Sequence, residues 1–220
     1  MIPVPVTETQ PVVFVIDDDS LVRDSIKDLL RSVGLGVESF ASTQDFLSSK
    51  RPNAPGCIVL DVRLPGTSGL EFHRFLVDSN AVRLPVIFIS GHGDISMSVK
   101  AIKSGAIEFL TKPVREQELL DAVQAGIARD REQREQARRT AELENRYTAL
   151  TLRERDVFAL VITGRPNKQI AAQLGLSEMT VKVHRSQITR KMRAKSVVEL
   201  VRMADLLGIS SAQSQRLLAS

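Results

Sequence analysis

The stretch VVFVIDDDS (residues 12–20) decides the fold, because a run of β-branched and apolar residues ends abruptly in three aspartates. An apolar run that is bounded in this way is typical of a buried strand. Similar runs follow at intervals that leave room for helices: GVESF (36–40), CIVL (57–60), PVIFI (85–89) and IEFL (107–110). The alternation predicts an α/β fold, a doubly wound five-stranded parallel sheet with helices between the strands.

Composition narrows the class of protein. The chain has 220 residues, of which 43% are hydrophobic and 25% charged, so it can bury a core and has room for two domains. A single cysteine, Cys57, excludes an internal disulfide framework and a multi-cysteine metal site. No stretch approaches the roughly 20 apolar residues of a membrane span, and the N-terminal residues do not resemble a signal peptide. We therefore expect a cytoplasmic protein that has no membrane partner.

Charge divides the chain into an acidic and a basic part. Residues 1–125 carry 12 Lys/Arg and 16 Asp/Glu, whereas residues 126–220 carry 18 Lys/Arg and 10 Asp/Glu. The asymmetry predicts that the basic part binds a polyanion, for which nucleic acid is favoured. The alternative is a basic surface that is merely solvated.

Between these parts the sequence ARDREQREQARRTAELENR (128–146) is rich in helix formers but has no apolar stripe. We expect a solvent-exposed helical linker over residues 126–147 that continues the last helix of the sheet domain. A coiled coil is the weaker alternative, since large apolar residues do not recur at heptad spacing.

A second set of helices begins at Thr151, where TLRE fits a capping box. In RPNKQIAAQLGLSEMTVKVHRSQITRKM (165–192) a short helix, a glycine-containing turn and a longer helix predict a helix-turn-helix. At about 100° per residue, one face of the longer helix is apolar and packs inward. The outward or flanking positions are Lys182, Val183, Ser186, Gln187 and Arg190, a basic and amide-bearing surface suited to DNA.

Acidic residues follow two of the predicted strands. Residues 17–19 are all aspartate and come after the first strand, and Asp61 comes after the third. Both positions open at the carboxyl edge of the sheet, where ligands bind in such folds. Carboxylates gathered there need a cation, and oxygen ligands suit Mg²⁺ or Mn²⁺ better than zinc.

Ser90 and Lys112 follow the fourth and fifth predicted strands at the same edge. A carboxylate, a metal ion, an ammonium and a hydroxyl form a set suited to phosphoryl transfer, with Asp61 as the nucleophile. Acidic residues that merely cap helices would explain Asp19, but they would not explain Ser90 together with Lys112.

The stretches VIDDDS, LDVRLPGTSGLE, VIFISGHGD and FLTKP resemble the receiver domain of bacterial two-component response regulators over residues 11–125, which implies a CheY-like (flavodoxin-like) fold. The resemblance implies that Asp61 accepts phosphate from a phosphohistidine of a sensor histidine kinase. It also implies Mg²⁺ bound by Asp18, Asp61 and the backbone carbonyl of Arg63, with Asp17 acting mainly through water. The implied phosphoryl-binding and switch residues are Ser90, Phe109, Lys112 and Pro113, with a cis peptide before the proline.

Other sheet proteins fit less well. A haloacid-dehalogenase-type phosphatase needs a second aspartate two residues after its nucleophile, where this chain has Arg63. A flavodoxin needs a loop rich in hydroxyl groups and glycine after the first strand, where this chain has Asp-Asp-Asp-Ser.

The run LTLRERDVFALVITGRPNKQIAAQLGLSEMTVKVHRSQITRKM (150–192) resembles the LuxR-type helix-turn-helix, so we expect an all-α DNA-binding domain over residues 148–209. With the receiver it is similar to the FixJ/NarL class, in which regulators of toluene and styrene catabolism have the same layout and a charged linker. The resemblance implies that Lys182 and Val183 reach the major groove and that Lys168 and Thr180 contact the backbone of the DNA.

Two further implications concern assembly and base preference. The helix around residues 197–207 is implied to pair two subunits on DNA. In one family member a basic residue one turn after Lys182 reads bases, whereas this chain has Ser186 there. Base preference therefore does not transfer from that member.

The combined features predict a transcription activator rather than an enzyme, apart from catalysis of its own phosphorylation and dephosphorylation. Phosphorylation at Asp61 would promote a homodimer that binds double-stranded promoter DNA and RNA polymerase, at an aromatic-hydrocarbon catabolic operon. The main alternative is a constitutive DNA-binding regulator whose receiver is a dimerisation scaffold. A phosphotransfer protein without a DNA role is a third hypothesis, and the basic TVKVH helix argues against it.

Overall fold

The structure, a computed structural model, describes residues 10–79, 82–91 and 95–209. The chain forms two compact units, one ending at Arg134 and the other beginning at Glu135. The first unit contains β1 (Val12–Ile16), α1 (Ser20–Ser32), β2 (Gly36–Phe40), α2 (Thr43–Ser48), β3 (Gly56–Asp61), α3 (Gly69–Ser79), β4 (Val86–Ser90), α4 (Ile95–Lys103), β5 (Glu108–Thr111) and most of α5 (Glu116–Thr148). The second contains the end of α5 with α6 (Leu152–Val161), α7 (Asn167–Leu174), α8 (Glu178–Met192) and α9 (Val197–Leu206).

The five strands of the first unit are all parallel, in the order β2-β1-β3-β4-β5. This order confirms the doubly wound α/β fold. It places β1 beside β3, with Ile16 paired with Leu60. The next residues, Asp17 and Asp61, therefore lie on neighbouring strands at the edge where the winding changes direction, which is the usual ligand-binding edge of such sheets.

Apolar side chains cover both faces of the sheet. On one face, strand valines and isoleucines pack against α1 and α5, through side chains such as Leu30 and Val123. On the other face phenylalanines pack edge to face, with 5.6 Å between the ring centroids of Phe14 and Phe46 and 6.1 Å between those of Phe46 and Phe72. Aromatic pairs in this geometry add to the free energy gained by burial. The sheet is thus a rigid platform for the residues at its edge.

Local details add to the sequence pattern. Asp19 is the N-cap of α1, because its carboxylate accepts a hydrogen bond from the backbone N–H of Leu21 at 2.9 Å. Asp61 and Ser90 are the last residues of β3 and β4 rather than the first residues after them. α2 has 6 residues, too few to show a clear helical period in the sequence.

α5 continues through the segment that was predicted to form a helical linker. This segment has no apolar stripe, and its side chains form ion pairs with residues three or four positions along the helix. Glu135 lies 2.9 Å from Arg138 and 2.8 Å from Arg139. Hydrogen bonds from these two arginines lower the pKa of Glu135 to about 2. Within the described residues, no helix combines the length and the apolar character that crossing a membrane requires.

Asp130 ties α5 to the beginning of β3. Its buried carboxylate accepts hydrogen bonds from the backbone N–H of Gly56 at 2.9 Å and from Nε of Arg134 at 2.6 Å. Gly126 allows the helix to approach the strand, since a Cβ there would lie 2.9 Å from the Cβ of Cys57. Burial, with the charge of Asp130, raises the pKa of Cys57 to about 12, so this cysteine is an ordinary core residue.

The second unit packs short helices around one apolar core. α6 begins with the predicted capping box: Thr151 Oγ1 accepts from the backbone N–H of Glu154 at 3.2 Å, and Glu154 Oε2 accepts from that of Thr151 at 2.7 Å. Gly175 follows α7 with a left-handed φ of 64°, a conformation that glycine adopts without strain, and the chain then turns into α8. α7, this turn and α8 form the helix-turn-helix.

Glu154 also holds α8 in place. Nζ of Lys191, in the last turn of α8, lies 2.6 Å from Glu154 Oε2 and donates a hydrogen bond to the carbonyl of Ala149 at 3.2 Å. Burial alone would raise the pKa of Glu154, but hydrogen bonds from Lys191 and Thr151 outweigh this effect and lower the pKa from 4.5. The ionised form of Glu154 therefore stabilises the folded unit.

This contribution should depend on pH. Because the pKa of Glu154 is lower in the folded than in the unfolded chain, the stabilisation is present above the unfolded value of 4.5 and is lost as the pH falls through the folded value. The free energy of unfolding of the wild type should exceed that of Glu154→Gln at about pH 7, and the difference should shrink as the pH falls below 4.5. Urea denaturation followed by circular dichroism measures the difference.

Asp156→Asn, which changes a partly exposed carboxylate of the same helix that lies 3.5 Å from Arg153, is the matched control and should cost little stability at about pH 7. An equal difference between wild type and Glu154→Gln at pH values above and below 4.5 would contradict the role given to the ionised carboxylate.

Candidate functional site

Two buried aspartates form the centre of the site at the carboxyl edge of the sheet. Asp17 follows β1 and is fully buried, and Asp61, at the end of β3, is 4% exposed. Asp18 is exposed beside them. Carboxylate oxygens of the three residues all lie within 4.8 Å of one another. The fold thus brings together the three carboxylates that the sequence analysis assigned to a metal site.

Lys112 bridges the two buried carboxylates. Its Nζ lies 2.6 Å from Asp17 Oδ2 and 3.2 Å from Asp61 Oδ1. Its backbone N–H donates a hydrogen bond to the carbonyl of Ser90 at 2.8 Å, and this bond fixes the backbone position from which the long side chain extends. An ammonium group between two buried carboxylates offsets their mutual repulsion and carries hydrogen-bond donors for a further anion.

Burial and neighbouring charges set the protonation of these groups. Burial raises the pKa of Asp61 above its ordinary value of 3.8. The positive charge of Lys112 lowers this pKa, and the negative charge of Asp17 raises it further. Burial alone would lower the pKa of Lys112, but the hydrogen bond and charge of Asp17, with the charge of Asp61, raise it above 10.5. Lys112 is therefore a cation at neutral pH, and Asp61 is a carboxyl group in poorly solvated surroundings.

Backbone contacts orient both aspartates. The N–H of Arg63 donates to Asp61 Oδ2 at 3.2 Å, and the N–H of Asp19 donates to Asp17 Oδ1 at 2.9 Å. Gly69 lets α3 begin close to the strand end, since a Cβ there would lie 2.2 Å from the carbonyl oxygen of Asp61. The connection between β3 and α3 can therefore fold back beside the carboxylates.

The predicted switch residues lie on the adjacent strands. Ser90 ends β4, is fully buried and pairs in register with Thr111 of β5. Phe109 of β5 is half-buried, with its ring centroid 6.4 Å from that of Phe88. The peptide bond between Lys112 and Pro113 is cis, as the resemblance implied. Ser90 and Lys112 therefore lie at the strand ends beside the carboxylates, and Phe109 lies on β5 against Phe88.

The carboxylates fit a hard divalent cation. Two of the carboxylates are buried and one is exposed. Their oxygens can supply part of a coordination sphere, and the remaining positions can be taken by the water ligands that Mg²⁺ usually retains. The cluster contains neither histidine nor cysteine, the ligands that zinc prefers. A cleft of about 640 Å³ adjoins the cluster, and its lining includes Asp18 and Arg63. The cleft therefore opens beside Asp18, the exposed member of the cluster.

α8 presents the surface that was predicted to meet DNA. Its inward side chains Val181, Ile188 and Met192 are buried in the core of the second unit. The outward residues Lys182, Val183, Ser186 and Arg190 are exposed, and Gln187 is partly buried. Gln187 Oε1 accepts a hydrogen bond from Nη2 of Arg190 at 2.6 Å, which holds these two side chains together on the surface.

The beginning of α8 and the neighbouring helix carry the other predicted contacts. Ser177 caps α8, accepting a hydrogen bond from the backbone N–H of Thr180 at 3.0 Å. Thr180 is partly buried, and Lys168 is exposed on α7. A cation and a helix N-terminus are both suited to phosphate oxygens of the DNA backbone.

Some residues that support these sites were missed in the sequence. Nη1 of Arg23 donates to the backbone carbonyl of Asp17 at 2.6 Å. Arg23 lies one helical turn after the cap residue Asp19, so its spacing offered a weak signal. Lys191 and Glu154 are separated by 37 positions, and no local pattern indicates that they pair.

Comparisons with known proteins agree with this arrangement. The family model of the response regulator receiver domain matches residues 13–124. The model described as bacterial regulatory proteins, luxR family, matches residues 148–204.

Nodulation protein W of Bradyrhizobium diazoefficiens is 50% identical over 94% of this chain and 91% of its own length. Response regulator protein TodT of Pseudomonas putida is 47% identical over 89% of this chain and 86% of its own length. The solved structure of the response regulator StyR has 46% identity and a TM-score of 0.79, and the match covers 90% of this chain and 99% of that one. The chain therefore belongs to the two-component response regulators of the FixJ/NarL class, in which a receiver domain is joined to a LuxR-type DNA-binding domain.

Proposed function

We propose that Asp61 is the phosphoacceptor of this response regulator and that its phosphorylation controls promoter binding. The observation that carries the proposal is the contact of Lys112 with both Asp17 and Asp61. Its ammonium group is already positioned to stabilise negative charge on a phosphoryl group arriving at Asp61. In this proposal residues 11–125 are the receiver, residues 126–147 the helical linker and residues 148–209 the DNA-binding domain.

The chemistry is a single phosphoryl transfer. A carboxylate oxygen of Asp61 attacks the phosphorus of a phosphohistidine on the sensor histidine kinase. The bond between phosphorus and the histidine nitrogen breaks, and its electron pair leaves with the nitrogen. Lys112 binds an oxygen of the transferred group, and the backbone N–H of Arg63 keeps the carboxylate oriented. Apart from its own phosphorylation and dephosphorylation, we propose no enzymatic activity.

The proposed cofactor is Mg²⁺ or Mn²⁺, held by Asp18, Asp61 and the backbone carbonyl of Arg63, with Asp17 acting mainly through water. The ion would supply positive charge to the phosphoryl oxygens during transfer. The grouping of three carboxylates within 4.8 Å supports this assignment.

The proposed switch is a change in the side-chain positions of Ser90 and Phe109 that follows phosphorylation of Asp61. Ser90 turns toward a phosphoryl oxygen, and Phe109, half-buried on β5, moves to a more buried position. Pro113, next to Lys112, belongs to the same loop. The two packings differ at the surface near α4 and β5, and the phosphorylated one favours a homodimer.

The homodimer places two copies of α8 in the major groove of double-stranded promoter DNA in the cytoplasm. Lys182 and Val183 reach base edges there, and Ser186, Gln187 and Arg190 complete the outward surface. Lys168 and Thr180 contact the DNA backbone. RNA polymerase is the proposed partner in activation, and the similarity to TodT and StyR supports an aromatic-hydrocarbon catabolic operon as the target. In a constitutive regulator Lys112 would only offset the repulsion between Asp17 and Asp61, and the exposed Asp18 beside them would have no ligand to bind.

Incubation of the intact chain with Mg²⁺ and a small acyl phosphate should add a single phosphoryl group, measured by intact-protein mass spectrometry. Asp61→Asn should gain none, because an amide cannot form the acyl phosphate. Asp28→Asn, which changes an exposed carboxylate of α1, is the control and should react as the wild type does. A phosphoryl group that still appears on Asp61→Asn would place the phosphoacceptor elsewhere.

DNA binding should depend on the outward face of α8. Lys182→Ala should weaken binding to a duplex that the wild type selects from a random pool by about tenfold or more, the effect of losing a base or phosphate contact. Fluorescence anisotropy measures the affinity. Lys50→Ala makes the same charge change at an exposed residue of the receiver and should have little effect. Equal losses in the two variants would mean that only net charge matters.

A further inference from the structure

α8 carries two exposed apolar side chains on its outward face. Met179 is 69% exposed and Val183 is 52% exposed. They are four positions apart, so they are neighbours on successive turns of the same helix face. The core does not require them, because Val181, Ile188 and Met192 are the buried residues of this helix.

The surroundings of this apolar pair are mainly cationic: Glu178, which precedes Met179, is the one acidic residue of α8, and the other charged residues of this helix are Lys or Arg. Lys182 lies between the two residues in sequence and is exposed, and Arg190 is exposed further along the same face. A small apolar area inside a basic surface does not fit a protein interface, which needs a larger apolar centre, but it does fit DNA. The major groove offers one apolar group to a protein, the C5-methyl of thymine.

We propose that Met179 is a base-reading residue and that, with Val183, it contacts thymine methyl groups in the major groove. The proposal rests on the proposed DNA-binding role of α8 and adds a residue to it. Met179 stands in the first turn of α8, and residues near the N-terminus of the second helix of a helix-turn-helix are those that reach base edges. A methionine side chain is flexible and polarizable, so it can pack around a methyl group whose exact position varies.

The test begins with duplexes selected by the intact chain from a random pool. Single thymines in each selected half-site are then replaced by deoxyuridine, which removes only the methyl group. At the thymine that Met179 contacts, the replacement should weaken wild-type binding about fourfold, as expected for one buried methyl group. Met179→Ala should bind the two duplexes equally, and Met179→Leu should retain most of the discrimination.

Leu152→Ala is the matched control, because Leu152 is a 79% exposed apolar residue outside the helix-turn-helix, at the start of α6. It should discriminate thymine from deoxyuridine as the wild type does. Circular dichroism checks that each variant is folded, which exposed positions should allow.

The outcomes separate this inference from the proposed function. Selected duplexes that the wild type binds equally well with thymine or with deoxyuridine at every position would overturn the role of Met179, while DNA binding by α8 would stand. The same holds if Met179→Ala keeps the full discrimination. Failure of the wild type to select any duplex, phosphorylated or not, would overturn the proposed function and the inference with it.

Discussion

The receiver is organised around the contact between one ammonium group and two buried carboxylates. Asp17 and Asp61 are brought to neighbouring strand ends by the parallel pairing of β1 with β3, and together they would repel each other in poorly solvated surroundings. Lys112 reaches both from the end of β5. The hydrogen bond from the backbone N–H of Lys112 to the carbonyl of Ser90 fixes the position of the backbone from which this side chain extends. The charge balance of the site is therefore set by the strand order.

A similar ion pair stabilises the DNA-binding unit. Lys191 pairs with the buried carboxylate of Glu154, and Glu154 at the same time caps α6. The pair connects the last turn of α8 to the first turn of α6, so the orientation of α8 depends on a charged contact as well as on apolar packing. In the receiver the cation contacts two carboxylates at the sheet edge, whereas in this unit the contact joins two helices.

Local patterns in the sequence predicted most of the fold and the centre of the site. Strand runs, helical spacing and the capping box at Thr151 depend on neighbouring residues, and a strand end followed by aspartates indicates its own position at the sheet edge. Contacts between distant residues could not be predicted in this way. Asp130 caps the N–H of Gly56 across 74 positions, and Lys191 pairs with Glu154 across 37.

If Asp61 is the phosphoacceptor, its phosphorylation should change the binding of the chain to DNA. The most direct test measures duplex affinity and sedimentation of the intact chain with Mg²⁺, with and without a small acyl phosphate, for wild type and Asp61→Asn. The phosphodonor should raise the duplex affinity and the dimer fraction of the wild type and leave those of Asp61→Asn unchanged. Equal affinity and equal oligomeric state with and without the donor, in a chain shown to be phosphorylated, would contradict it.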